Sequence, residues 1–273
     1  MNIPRNAIAV LVAAAFAGGV QASDFTPAFQ ASSTPEVLRT LGAADAASHS
    51  ALRLKAPRIA EVGSSVAIEV SSRIPNTEWI AIIADKNPTP LAAVVRINDK
   101  QPTWQTRIKL VEPSQVRVVA KAGGRYYTTD QFVKVVEGGC GGGSASVAVD
   151  QSSQRVGNTG VRSRANDDGV LVQLMIQHPM ETGLRQNKEG KMVQAVDAKS
   201  GKPVAPHYIQ RVRARVNDNS ILDAYWGPSI SATPIFGFGV SQYRKGDQVT
   251  VEWEDNQGKR GGNKTTLGGD KQA

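Results

Sequence analysis

The chain holds one cysteine in 273 residues, and its surroundings define the chemistry open to it. Cys140 is flanked by Gly138, Gly139, Gly141, Gly142 and Gly143. Glycine imposes no Cβ restriction and is costly to order, so this run favours presentation of the thiol over burial of it. A structural cysteine is normally packed among apolar neighbours, which are missing here. An extended chain from Glu137 to Cys140 reaches about 10 Å, enough to carry a thiol away from a folded domain and into a partner's cleft. Without an enforced acid–base neighbour, such a thiol ionises like a free one and is only slightly thiolate at neutral pH. It would be a poor catalyst alone and a good attachment point for a group that other proteins handle. An incidental cysteine in a linker and an intermolecular disulfide as a resting form are the other readings.

Two other constellations carry chemically useful side chains. His178, Met180 and His207 could be imagined around a metal, but their spacing matches no helical or zinc-type pair, so structural use is expected and no metal site is assigned. Arg211, Arg213 and Arg215 alternate with Val212, Ala214 and Val216, which on a strand puts three guanidinium groups on one face. A solvated outer face is the expectation, and an anion-attracting or docking surface the alternative. No paired carboxylates, phosphate loop or Ser-His-Asp arrangement can be defended.

The elements that position these residues read as β-structure. Short runs separated by turn residues occur at Val66–Val70, Trp79–Ala84, Ala92–Ile97, Trp104–Val111, Gln115–Lys121 and Arg125–Val136. The last two are joined at Gly123-Gly124, a good hairpin turn. Trp79-Ile-Ala-Ile-Ile-Ala84 is continuously apolar, as a strand covered on both faces would be. Beyond the glycine run, Val170–Ile176, Tyr208–Val216, Ile221–Trp226, Ile235–Val240 and Gln248–Trp253 repeat the texture. The fold class is all-β, with two immunoglobulin-like β-sandwich domains joined by a Gly-rich flexible linker. The expected divisions are a signal peptide over 1–22, a lead-in with one short helix over 23–50 and a first sandwich over 51–137. A carrier arm and linker over 138–169, a second sandwich over 170–260 and a flexible tail over 261–273 complete the chain. Within the lead-in, Thr34-Pro35-Glu36 marks a helix start and Leu41-Gly42 its stop.

Composition narrows the function classes. A hydrophobic fraction of 40% is ample for a packed core, so wholesale disorder is excluded. One cysteine excludes an intrachain disulfide framework and any cysteine-rich zinc or iron–sulfur site. Arg5, the apolar run from Ala7 to about Phe16 and small residues before Ala22 form a secretory signal peptide cut after Ala22, implying export to the periplasm of a Gram-negative host. That run is too short to span a bilayer, and no later one is long enough, so no membrane insertion is expected. The formal net charge of +8 becomes +7 on loss of Arg5, spread evenly over the two halves. A moderately basic surface favours anionic partners. Nucleic acid is a poor candidate, because export and the lack of basic runs interleaved with aromatics argue against it.

Several segments together resemble the bacterial sulfur-oxidation carrier. Ile74-Pro75-Asn76, Asp85–Leu91, Thr106–Lys109 and Val133–Val135 leading into Gly138–Gly142 resemble its SoxY subunit. His178–Arg185, Pro206–Ile209, Trp226–Ile230, Lys245–Asp247 and Val251–Gly258 resemble SoxZ. The chain looks like a fusion of the two over about residues 50–260. The resemblance implies that Cys140 carries sulfur covalently and that no cofactor is needed beyond that adduct. It implies enzymes as partners: the c-type cytochrome SoxAX to couple thiosulfate to the thiol oxidatively, and the dimetal hydrolase SoxB to release sulfate. A SoxCD molybdenum–haem dehydrogenase would oxidise the remaining sulfane. The protein itself would not be an enzyme. A related carrier accompanying a periplasmic quinoprotein dehydrogenase, and a non-catalytic two-domain interaction module, are the alternatives. In the separate SoxY subunit the cysteine segment ends the chain, whereas here about 130 residues follow it. Either the linker 141–169 loops out, or the chain is cut after Cys140. Val193–Pro203 looks inserted relative to SoxZ and is expected to form a surface loop.

Overall fold

The computed structural model describes residues 25–137, 148–149, 156–166 and 169–268. Two short helices come first, α1 (Thr26–Gln30) and α2 (Thr34–Thr40). The helix start expected at Thr34 is present, with a proline in its first turn, and Gly42 (φ 75°) takes the left-handed conformation that ends it. Nine strands follow: β1 (Ala47–Ser48), β2 (Leu52–Lys55), β3 (Ile59–Val62), β4 (Val66–Ser72), β5 (Thr77–Ala84), β6 (Leu91–Ile97), β7 (Thr103–Ile108), β8 (Ser114–Ala122) and β9 (Arg125–Glu137). Past the glycine run come β10 (Ala148–Val149), β11 (Thr159–Asn166), β12 (Gly169–Ile176), β13 (Leu184–Gln186), β14 (Met192–Gln194) and β15 (Val196–Asp197). The chain finishes with β16 (Ile209–Val216), β17 (Asn219–Trp226), β18 (Ile235–Val240), β19 (Gln248–Asp255) and β20 (Arg260–Thr266).

These strands form two immunoglobulin-like sandwiches that share both of their sheets. The larger sheet runs β1-β9-β8-β5-β6-β17-β16-β19-β20, with β3 added beside β9, and the other runs β11-β12-β18-β7-β4-β2. Each sheet therefore crosses from the first half to the second by direct strand pairing. In the larger sheet β6 lies antiparallel to β17, pairing Ala93 with Trp226 and Ile97 with Leu222. In the smaller sheet β18 lies against β7, pairing Phe238 with Trp104. The buried residues between the sheets make one continuous cluster from Leu52 to Leu267. At its centre Phe236 packs against Trp104 from the first half and Trp226 from the second, with ring centroids 5.7 and 5.4 Å away. A shared core of this kind couples the halves energetically. Thermal unfolding is therefore expected as one transition, with calorimetric and van't Hoff enthalpies equal; two resolved transitions would contradict it.

The continuously apolar β5 is covered on both faces, as its sequence indicates. Ile80, Ile82 and Ala84 face the inter-sheet core. Trp79, Ala81 and Ile83 face a second cluster supplied by the helices, with Phe25, Ala28, Val37 and Leu41. Phe25 also meets Trp79 and Tyr225 edge-on, so the lead-in is stitched over the junction of the two halves.

Four expectations are corrected. Residues 159–166, expected as linker, form β11, paired with β12 over eight positions. The composition misleads because β11 is an edge strand whose Arg162 and Arg164 face solvent while Val161 packs on the core. The expected tail contains β20, in which Gly261 lets the Trp253 ring lie where a Cβ would stand, 2.5 Å away. The expected surface loop 193–203 is exposed over 198–203 but also holds the end of β14 and β15, with Ala195 buried. The lead-in has two helices where one was expected.

Candidate functional site

The glycine-flanked cysteine follows directly on the end of β9. Its last residue, Glu137, pairs with Val62, and the Lys134 amide donates to Arg58 O at 2.9 Å. Cys140, Gly138, Gly139, Gly141 and Gly142, on which the sequence reading centres, lie outside the described residues. The outward side of β9 and β3 at this end carries exposed Phe132, Val136 and Ile59 around Lys134.

Register places the segments quoted from the sequence at this same end. Asn87, in the turn between β5 and β6, is buried and donates from Nδ2 to Lys109 O at 2.7 Å and Ser229 Oγ at 3.1 Å. Its Oδ1 accepts from the Val111 amide at 3.2 Å. Ser229 Oγ donates to Thr89 O at 3.0 Å, and Ser229 O accepts from the Lys109 amide at 2.7 Å. Lys109 is buried, and its ammonium donates to Pro228 O at 2.9 Å and to Met180 O. A lysine of the first half is thus sunk between two loops of the second, near the end of β9. Burying a charge is tolerated because carbonyl oxygens solvate it.

Behind Met180 lies a compact polar cluster. His178 and Asp255 have fully buried side chains, and both His178 Nε2 (3.4 Å) and His207 Nε2 (3.0 Å) face Asp255 Oδ2. Asp255 Oδ1 accepts from the amides of Gln257 (2.9 Å) and Lys259 (2.8 Å). Burial pushes the Asp255 carboxyl up, but these four donors overcome it and hold the group below its usual value. Glu181 behaves likewise: the Arg185 fork at 2.7 Å and the Gly183 amide outweigh burial and keep it low. Met180 itself sits at φ 48°, in the left-handed region, with its amide on His178 Nδ1 at 3.1 Å and its sulfur accepting from the Ile209 amide at 3.4 Å. Strain of this kind persists only where neighbours over-determine it. Gly183 (φ 75°) ends the turn, since a Cβ there would stand 2.7 Å from Val204 O.

Among the described residues, His178, His207 and Asp255 are the group of metal-type donors brought together, their donor atoms lying within 4.8 Å of one another. The hydrogen bonding opposes ligation. Because the Met180 amide donates to Nδ1, the neutral His178 ring carries its proton on Nε2, the atom a metal would need. The arrangement works as a brace in which one carboxylate holds two imidazoles. Sequence reasoning singled out both histidines and missed Asp255, which reaches them only through the pairing of β16 with β19.

The brace makes stability depend on pH. Burial, then the neighbouring His207, lowers the His178 pKa from 6.5 to about 4. A histidine kept neutral in the fold takes up its proton more readily when unfolded. Its contribution is therefore complete above 6.5 and is lost as pH falls from there toward 4. Denaturant titrations are expected to show a loss of about 3 kcal/mol across that window, removed in a His178→Gln variant.

Arg211, Arg213 and Arg215 share the outer face of β16, as alternation indicates, and two of them are neutralised there. Arg211 Nε lies 2.8 Å from Asp223 Oδ1 and Arg215 lies 3.1 Å from Glu252. No helix among the described residues is long and apolar enough to cross a membrane.

Fold and site define a fused pair of immunoglobulin-like sandwiches, interlocked at the end from which a single-cysteine segment departs. Residues 38–140 match the family of the sulfur oxidation protein SoxY, and residues 159–266 that of the sulphur oxidation protein SoxZ. The chain belongs to this sulfur-oxidation carrier family, as a SoxY–SoxZ fusion. The sulfur carrier protein SoxY from Chlorobium limicola f thiosulfatophilum is 30% identical, over 40% of this chain and 96% of that one, with a TM-score of 0.36. The BSP domain of a biofilm associated protein is 11% identical over 79% of this chain and 29% of its own, with a TM-score of 0.24. No curated protein matches the chain. SoxY and SoxZ are carrier proteins rather than catalysts, and their presence implies dealings with other sulfur-oxidation proteins.

Proposed function

We propose that the protein is a periplasmic carrier that holds thiosulfate-derived sulfur covalently on Cys140 and presents it to sulfur-oxidation enzymes. The supporting observation is where the family match stops. The SoxY-like region ends at residue 140, on the glycine-flanked cysteine, and the SoxZ-like region resumes only at 159. The last described position of the first half, Glu137, stands three residues before that thiol. Among the described residues at the interlocked end, Lys109, His178 and Asp255 are buried and hydrogen-bonded, with no access to an incoming substrate.

In this reading a c-type cytochrome such as SoxAX removes two electrons as the Cys140 thiolate joins thiosulfate, giving Cys–S–S–SO3⁻. Water then attacks the terminal sulfur on a SoxB-type hydrolase, releasing sulfate and two protons and leaving a persulfide. A SoxCD-type dehydrogenase would act on that remaining sulfane. The carrier contributes the thiol, its reach and the surface around its root, where Phe132, Val136 and Ile59 meet an approaching enzyme. It needs no cofactor of its own.

Reconstitution tests the reading. Added to periplasmic extract stripped of its own carrier, the protein is expected to restore thiosulfate-dependent reduction of cytochrome c. A plain interaction module would leave the extract inactive. A carrier serving a quinoprotein dehydrogenase would accept sulfur on Cys140 without restoring that reduction.

A further inference from the structure

Two residues between the cysteine and the second half are paired with that half. Ala148–Val149 form β10, lying parallel to β15, with Ala148 beside Val196 and Val149 beside Asp197. β15 lies in the segment Val193–Pro203 that looks inserted relative to SoxZ, and this segment and the residues leading into it from Leu184 build one braced platform. β13 and β14 form a hairpin, pairing Leu184 with Gln194 and Gln186 with Met192. Gln194 Nε2 donates to Gly183 O and Val204 O, each at 2.8 Å, which ties the insertion back to its own base. Ala195 and Val204 are fully buried, and their backbones bond at 2.9 Å. Beyond β15 the turn is fixed by Asp197 Oδ1, which accepts from the amide and hydroxyl of Ser200 at 2.7 Å each. One side of Val196 bridges to Pro203. The other side is the strand edge that β10 occupies, an extended segment held by strand addition.

This platform leaves the body at Gly183, three residues from Met180, whose carbonyl accepts from Lys109. The neighbouring Leu110 amide donates to Gly63 O at 2.7 Å, next to the Val62–Glu137 pair that ends β9. Both anchors of the carrier segment therefore lie at the same end of the molecule, one on each half.

We propose that the unit 184–203, made of the β13–β14 hairpin and β15, is a clamp for the chain returning from the carrier cysteine, so that Cys140 is tethered on both sides. By sequence, residues 138–147 connect the anchors. The tether from Glu137 to Cys140 spans about 10 Å when extended and that from Cys140 to Ala148 about 28 Å, so the shorter one sets the reach of the thiol. The kind of partner follows from this. Its reactive site must admit two passes of chain side by side, as an open groove does and a tunnel for one strand does not. Five flanking glycines, which carry no side chains, keep that cross-section small. The clamp bears on sulfur transfer only through the carrier reading, yet it can be tested without sulfur.

Because Cys140 is the single cysteine, a nitroxide can be placed on it and a second on Arg53→Cys, an exposed position of β2. Pulsed electron–electron distance measurements on the unloaded protein are expected to give a narrow distribution. Ala148→Pro with Val149→Pro removes the β10 amides without touching either main sheet, and is expected to widen that distribution at least twofold. An unchanged width overturns the clamp. Since no sulfur is loaded, a failure of the carrier chemistry would leave this result standing, and the reverse also holds.

Discussion

Replacing Cys140 with serine is expected to abolish thiosulfate-dependent cytochrome reduction by the reconstituted system, to the level seen with no carrier added. The magnitude follows from what the adduct requires. Oxidative coupling makes a sulfur–sulfur bond, and the later hydrolysis leaves a persulfide, neither of which a hydroxyl can form. Serine is also scarcely ionised near neutral pH, whereas even an ordinary thiol keeps a usable thiolate fraction. No second thiol exists in the chain to take over. Position 140 lies beyond the end of β9, so the same substitution is expected to leave the melting temperature within experimental error. A variant that folds normally and still supports turnover would sink the covalent reading, whatever its effect on partner affinity. Partial activity is not expected, because the thiol is the substrate's only attachment.

The largest effect on stability is expected at Asp255. Its carboxylate accepts from His178, His207 and the amides of Gln257 and Lys259. Asp255→Ala strands these donors around a cavity, and His178 has no access to water there. The expected cost is about 3–5 kcal/mol, the range for removing one partner of a buried charged network. For a chain of this size that is a fall in melting temperature of roughly 10 °C. Loss of the brace should also free the left-handed turn at Met180, which His178 holds through Nδ1, and with it the seat of Lys109. Slower hydrogen exchange is normal at such buried amides, so the Met180 and Ile209 amides are expected to exchange much faster in the variant. A cost under about 1 kcal/mol would show that water or a shifted side chain replaces the carboxylate, and the account of the brace would fall.

What could be read in advance follows the physics of each element. β5 and β16 were legible because burial on one or both faces writes itself into alternation: Arg211, Arg213 and Arg215 point outward while Val212, Ala214 and Val216 point in. β11 and β20 were not, because edge strands in contact with water are polar and β20 needs Gly261 beneath Trp253. The sharing of both sheets was also hidden. An apolar β6 edge reads the same whether its neighbour comes from its own sandwich or from the next, and only the register with β17 reveals which. At the site, Cys140 declared itself through its glycines, while the grouping of His178, His207 and Asp255 across 77 residues depends on tertiary pairing and has no local signature. The insertion was visible as a departure from the SoxZ pattern. Its role was not, because a two-residue strand such as β10 leaves no periodicity to detect.

Intact-mass analysis of the protein purified from thiosulfate-grown cells tests the central claim most directly. The account predicts that a fraction of the chain carries the added mass of a sulfane sulfur or an S-thiosulfonate. That mass should map to the peptide containing Cys140 and be lost on treatment with a thiol reductant. Unmodified protein under conditions where thiosulfate is being consumed, or sulfur found on any other residue, would contradict it.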